Sequence, residues 1–382
     1  MLKRVSIQNF KSLKDITLDL QKVNLLIGPN NSGKTNFLKA LEFCYDAHGL
    51  EEIEMKIGDE DEAEETGMFI IENYTIVEKY NYLKTVFKRN GQSEVSFQLL
   101  FDDNVKAYIE WSAEKSRIVR NVDGSNGKFF NAKESIQALK NDLGKITIYK
   151  PDSNKLTQPG LVGTGEEVVN ADCSNLVGFL DLMLGKYRRT VFNRTENDLS
   201  TCIPEFDEIN LEDASPTDEL KKLHGDKSFK RIGLSNSKQD ITYWADELSE
   251  GTLYFLALLC IINQPNPPKL LLLEEPEKGI HPRRIREVMD FIFRLAEEKD
   301  IQIILTTHNE NVLNEFTSMP EAVFVFSKDE EGSTHVKNLQ KDIIEPSHQR
   351  SRETGTKEID FTSNLGENWM YGLLGGVPEE VL

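Results

Sequence analysis

Eight consecutive residues, Gly28-Pro29-Asn30-Asn31-Ser32-Gly33-Lys34-Thr35, constrain the fold of this 382-residue chain more than any other stretch. They follow the glycine, four spacer residues, glycine, lysine, threonine pattern of a loop that cradles phosphate groups. The flanks are the ones the pattern requires. Val23-Asn24-Leu25-Leu26-Ile27 reads as a short buried strand, and Phe37, Ala40, Leu41 and Cys44 recur at helical spacing. In a strand-loop-helix of this kind the glycines let the backbone wrap an anion. The amide N–H groups of Asn30, Asn31, Ser32 and Gly33, with the positive end of the helix, then face the phosphates. Lys34 is placed to reach the β- and γ-phosphates, and the Thr35 hydroxyl to ligate Mg²⁺.

Three further stretches extend this chemistry. The apolar run Leu270 to Leu273 ends in Glu274-Glu275-Pro276. Neighbouring side chains on a strand point to opposite faces, but at a strand's end two carboxylates can diverge to separate tasks. Glu274 is expected to hold the water shell of Mg²⁺, and Glu275 to orient and polarise an attacking water. Alone, the run is a core strand with a charged end; beside a phosphate loop it reads as hydrolytic. Leu248-Ser249-Glu250-Gly251-Thr252 stands before a very apolar helix. Ser249 is a good N-cap and Gly251 leaves backbone open at the helix tip, although a plain capped helix has the same look. Finally, the strand Gln302 to Thr306 ends at Thr307-His308-Asn309. Lone histidines are usually structural. At the carboxyl end of a parallel strand, His308 falls where a γ-phosphate sensor belongs.

The remainder of the chain sets the frame. Val5, Ile7, Ile16, Leu18 and Leu20 alternate as in a half-exposed antiparallel pair. Met68 to Lys128 reads as an antiparallel layer with turns at Asn90-Gly91, Asp102-Asp103 and Asp123-Gly124. Lys145 to Lys150 reads as a strand stopped by Pro151. A mostly helical stretch follows, with a flexible loop at Gly160, Gly163 and Gly165. Strands and helices then alternate from Glu250 to Phe326, the signature of a parallel sheet covered by helices. The expected fold class is therefore α/β. Its divisions are 1–152 (phosphate loop and antiparallel layer), 153–263 (helical lobe), 264–341 (second half of the sheet) and 342–382 (tail).

A net charge of −19 argues against coating nucleic acid over the whole surface, though Tyr187-Arg188-Arg189, Lys221-Lys222 and Pro282 to Arg286 remain candidate local basic grooves. Asp59 to Glu65 reads as a solvated acidic run. No apolar stretch reaches the roughly 18 residues of a membrane span. Cys44, Cys173, Cys202 and Cys260 are scattered without metal or redox spacing, which fits reduced thiols in the cytoplasm.

The order of these motifs resembles the ABC ATPase superfamily over residues 1 to about 330, and more narrowly its RecF-like and OLD-like branch of stand-alone ATPases. Carrying the resemblance are Ile7-Gln8-Asn9-Phe10-Lys11-Ser12, Val23 through Thr35, Asn175-Leu176 and Glu274 through Pro282. Glu274 stands where aspartate is usual, Glu250 replaces the glycine of transporter ATPases, and Gln158 is a weak candidate for the glutamine loop. What the resemblance implies is an ABC-ATPase head that binds ATP and Mg²⁺. It also implies a head-to-tail homodimer in which Ser249 and Gly251 of one chain close over ATP held by Lys34 of the other. Glu277 to His281 then form the crossing loop.

Three readings of function follow. The first is a sensor or scaffold for a separate effector, often a TOPRIM-like nuclease, in anti-phage defence. It rests on the stretch of about seventy residues after His308, too short for a nuclease domain, and on a tail, Glu367 to Gly376, that resembles those of such small ATPases. The second is a RecF-like DNA-binding repair clamp, and the third a transporter ATPase subunit. The tail's Trp369, Tyr371 and Leu373 either dock a partner or pack back on the core.

Overall fold

A computed structural model describes residues 1–48, 69–71, 94–102, 106–112, 117–123, 146–225, 227–239 and 241–377. The acidic run 59–65 and the Asn90-Gly91 turn lie outside them, as do Asp103 and Gly124 of the other two expected turns. The chain divides into two compact units, one of residues 1–148, 269–272 and 300–382, the other of residues 149–268 and 273–299.

The first unit opens with β1 (Leu2–Phe10) and β2 (Leu13–Asp19), paired antiparallel with Val5 opposite Leu18 and Ile7 opposite Ile16. The alternating residues foreseen for this pair, Val5, Ile7, Ile16, Leu18 and Leu20, are all buried, together with Leu2, Phe10 and Leu13. β3 (Val23–Ile27) is buried throughout, as a strand covered on both faces must be, and α1 (Lys34–His48) leaves the loop behind it. β4 (Phe69–Ile71), β5 (Glu94–Phe101), β6 (Lys106–Ser112) and β7 (Arg117–Asp123) complete an antiparallel sheet in the order β2-β1-β5-β6-β7-β4. Phe10, Phe43 and Phe97 lock β1, α1 and β5 together with ring centroids 5.4 to 5.8 Å apart. Each such pair adds about 0.5–1.5 kcal/mol beyond burial.

A short β8 (Ile148–Tyr149) stops before Pro151, and α2 (Ser153–Leu156) follows. The segment expected to be mostly helical does contain α3 (Leu176–Lys186), α4 (Asn193–Cys202), α5 (Asp218–His224) and α6 (Glu250–Asn263). It also contains a four-stranded antiparallel sheet of β9 (Gly160–Leu161), β10 (Glu208–Asp213), β11 (Phe229–Ser235) and β12 (Thr242–Trp244). Gly160, expected in a loop, is thus a strand residue paired with Lys230. Among β10 residues only Ile209 is buried, and Glu, Asn and Asp disfavour strands, so pairing with distant β11 makes this strand rather than its own composition.

β13 (Leu270–Glu274), α7 (Pro282–Glu298) and β14 (Gln302–Thr306) follow, then α8 (Glu310–Asn314), β15 (Val323–Lys328), β16 (Thr334–Asn338), α9 (Glu345–Thr354) and α10 (Leu365–Met370). The central sheet runs β16-β15-β3-β14-β13-β8, with β14 and β15 parallel to β3 on either side of it. The architecture is the expected α/β class. All four cysteines are free. Among the described residues, no helix is long and apolar enough to cross a membrane.

Candidate nucleotide site

The phosphate loop leaves β3 where two strands support it, and its shape depends on two glycines. Gly28 has φ 142° and Gly33 φ 111°, conformations that side chains rarely permit. A Cβ at Gly28 would stand 2.3 Å from the Phe326 carbonyl oxygen, and one at Gly33 would stand 2.2 Å from Thr334 Oγ1. Asn31 takes the left-handed region at φ 63°, tolerable for asparagine, and its Oδ1 accepts from Lys328 Nζ at 3.1 Å. The Lys34 ammonium is arched back over the loop, donating to the carbonyls of Gly28 at 2.7 Å and Pro29 at 3.0 Å. A buried ammonium needs such acceptors, and its position puts a fixed cation at the mouth of the α1 N-terminus. The Ser32 hydroxyl is buried and has no hydrogen-bond partner within the protein among the described residues. A fixed cation and a buried hydroxyl, beside backbone amides at the start of α1, form a donor set that suits a polyphosphate.

His308 belongs to the same unit. Thr306 of β14 pairs with Leu26 of β3, and the Thr307 N–H donates to the Leu26 carbonyl at 3.2 Å. The parallel register carries exposed His308 to the sheet edge where Gly28 begins the loop. Asn309 next to it caps α8 through its Oδ1, which accepts from the Asn311 N–H at 2.9 Å.

The remaining sequence-predicted residues lie in the second unit. Glu274 ends β13, its carbonyl accepts from the Tyr254 hydroxyl at 3.2 Å, and its carboxylate stands 3.4 Å from Lys150 Nζ. Burial pushes the Tyr254 phenol well up, so it stays a donor. Glu275 has φ 51°, a left-handed conformation that costs a residue of this kind about 1–3 kcal/mol. That bend breaks the strand geometry between the two carboxylates. A strained residue at the end of a buried strand is the kind of outlier that functional sites retain.

Ser249 caps α6, accepting from the Thr252 N–H at 3.1 Å, and is exposed. Gly251 is buried instead. A Cβ there would come 2.5 Å from the Gly279 carbonyl oxygen, so the glycine lets the α6 tip touch the 277–281 loop of its own unit. Beside this contact lies a cleft of about 660 Å³, lined by Ile203, Phe206, Phe255 and Val288 with Ser249 and His281 at its polar side. Sequence reasoning missed Lys150, Lys328 and Thr334. Each reaches its partner across more than a hundred residues, and no local pattern marks them.

The tail belongs to the first unit. Gly366 N–H donates to Asn314 Oδ1 of α8 at 2.8 Å, and a Cβ at Gly376 would stand 3.6 Å from Gly28 Cα. Trp369 and Leu374 are buried, with the indole N–H donating to the Gly376 carbonyl at 3.1 Å. Met370, Tyr371 and Leu373 are 65%, 77% and 55% exposed. Of the residues weighed for packing back, Trp369 does so and Tyr371 and Leu373 do not. Truncation after Glu367 is therefore expected to lower the melting temperature, because losing a buried Trp alone costs about 3–5 kcal/mol. A thermal melt unchanged from the full chain would contradict this packing.

Two family models match, an "AAA ATPase domain" over residues 1–161 and an "AAA domain, putative AbiEii toxin, Type IV TA system" over 173–314. The energy-coupling factor transporter ATP-binding protein EcfA2 of Clostridium perfringens is 30% identical over 108 residues, 28% of this chain and 35% of that protein. EcfA of Methanoculleus marisnigri is 23% identical over 192 residues, 49% of this chain and 63% of that protein. The chain thus spans less than two thirds of these curated relatives. In fold it is similar to an Smc head bound to the C-winged helix domain of ScpA, with TM-score 0.54 and 15% identity over 88% of this chain and 96% of that one. The Smc head with an extended coiled coil from Pyrococcus furiosus gives TM-score 0.52 and 12% identity over 91% and 99%. The two ATPase-domain matches, laid end to end along a chain with the Smc-head fold, support an ATPase of the AAA/ABC type.

Proposed function

We propose that the chain binds Mg·ATP at the Gly28–Thr35 loop and hydrolyses it slowly, as a homodimer closed head-to-tail over the nucleotide. The observation that carries this reading is the buried Lys34 ammonium held over the glycine loop at the start of α1. Lys34 binds the β- and γ-phosphates, and the amides of Asn30 to Gly33 wrap them. Thr35 and Glu274 would hold Mg²⁺, which when bound would offset phosphate charge. Glu275 accepts a proton from the attacking water, and His308 contacts the γ-phosphate.

Ser249 of one copy serves the nucleotide of the other. Ser249→Arg is expected to leave ATP binding intact while reducing dimerisation and turnover at least tenfold, because the exposed side chain adds bulk at the interface. Gly251→Asp is a poorer probe, since it collides with Gly279 inside the unit. Mixing Lys34→Ala and Ser249→Arg proteins should restore activity through one intact composite site. An inactive mixture in which mixed dimers are confirmed argues against a shared site.

The biological role we infer is an ATP-driven sensor or scaffold for a separate effector protein, such as a nuclease, in anti-phage defence. The toxin-system description of the model over 173–314 supports it, and exposed Met370, Tyr371 and Leu373 offer a docking face. Tyr371→Ser with Leu373→Ser should abolish effector co-purification without changing the melt. The EcfA similarity favours a second reading, a transporter ATPase subunit; co-purification with a membrane permease would decide for it.

A further inference from the structure

A chain of side-chain hydrogen bonds lies beneath the phosphate loop, and its direction follows from its two ends. Asn36 Nδ2, which can only donate, is 2.8 Å from Ser12 Oγ. The Ser32 carbonyl, which can only accept, is 2.9 Å from Thr334 Oγ1. The two hydroxyls between them are 2.8 Å apart. Each hydroxyl has one proton. With Thr334 donating to the Ser32 carbonyl, Ser12 must donate to Thr334 and accept from Asn36. The Thr334 N–H also donates to the Ser12 carbonyl at 2.7 Å, and Thr334 is buried against Gly33.

The Ser32 carbonyl and the Gly33 N–H share one planar trans peptide and point to opposite sides of it. Anchoring the carbonyl on Thr334, on the β16 side, therefore turns the Gly33 N–H away from β16 and into the loop. We propose that Thr334 is a positioning residue for phosphate binding, orienting the Gly33 amide through the Ser32 carbonyl. Ser12 and Asn36 fix its proton. This rests on the reading of the loop as an ATP site.

The test is titration of labelled ATP with Mg²⁺, well below the melting temperature, against wild type, Lys34→Ala, Thr334→Val and Thr334→Ser. Thr334→Val keeps the shape and removes the hydroxyl. It should weaken ATP binding about tenfold, the weight of one charge-assisted hydrogen bond, and raise KM more than it lowers kcat. Thr334→Ser should restore both. A merely structural role lowers the melting temperature and leaves the affinity of the folded protein unchanged. Should Thr334→Val be insoluble, Thr334→Cys, with its weak donor, is read on the same criteria. Wild-type protein that binds no ATP would sink the parent reading. A wild type that binds, a Lys34→Ala that does not, and a valine variant within twofold of wild type would overturn this inference alone.

Discussion

Lys34→Ala abolishes tight ATP binding: an affinity loss of about a hundredfold or more is expected, near 2.7 kcal/mol at room temperature. The ammonium is buried and held by the carbonyls of Gly28 and Pro29, so its position is set before any phosphate arrives. A pre-positioned, desolvated cation forms stronger bonds to an anion than a surface lysine does. Removing it also takes a donor away from each of those two loop carbonyls, although the Ser32 N–H still donates to Pro29. Titration of labelled ATP against both proteins measures the loss, and a melt on each separates binding from folding. Equal affinity in the variant would mean that the loop pattern has no role in nucleotide binding.

Glu275→Gln is expected to retain ATP binding and to lower turnover by about a hundredfold to ten-thousandfold, the usual weight of a positioned general base. Glutamine has nearly the same shape and suffers the same strain at φ 51°, so fold and loop geometry should survive the change. The amide cannot accept the proton that an attacking water must lose. ATP should then accumulate in closed dimers, visible as a mass shift that wild type shows only briefly. Phosphate release at the wild-type rate would remove Glu275 from the base role and direct attention to His308.

Much of the architecture was legible because its signals are local. The run Val23–Ile27, the glycine loop and the helical spacing after it are consecutive, and β3, the loop and α1 form where those signals place them. The alternation from Glu250 to Phe326 likewise becomes α6, β13, α7, β14 and β15. What escaped depends on partners far along the chain. β10 carries little apolar pattern and exists because β11 pairs with it. Gly251 looked like open backbone at a helix tip, whereas its missing side chain makes room for Gly279, a contact set by how α6 meets the 277–281 loop. Thr334 lies 302 positions from the Ser32 carbonyl it anchors, and only the pairing of β16 beside β15 brings it there. The tail divides by residue for a similar reason. Trp369 finds a carbonyl acceptor in Gly376, while neighbouring Tyr371 faces outward.

The central claim is that two copies of this chain hydrolyse Mg·ATP between them. Phosphate release by the purified protein, measured per chain across a wide range of protein concentration, tests it most directly. Hydrolysis that requires Mg²⁺, rises per chain as dimers form, and disappears in Lys34→Ala, Glu275→Gln and Ser249→Arg is the result expected. Phosphate release no greater than that of Glu275→Gln, or a rate per chain that neither concentration nor Ser249→Arg alters, would contradict it.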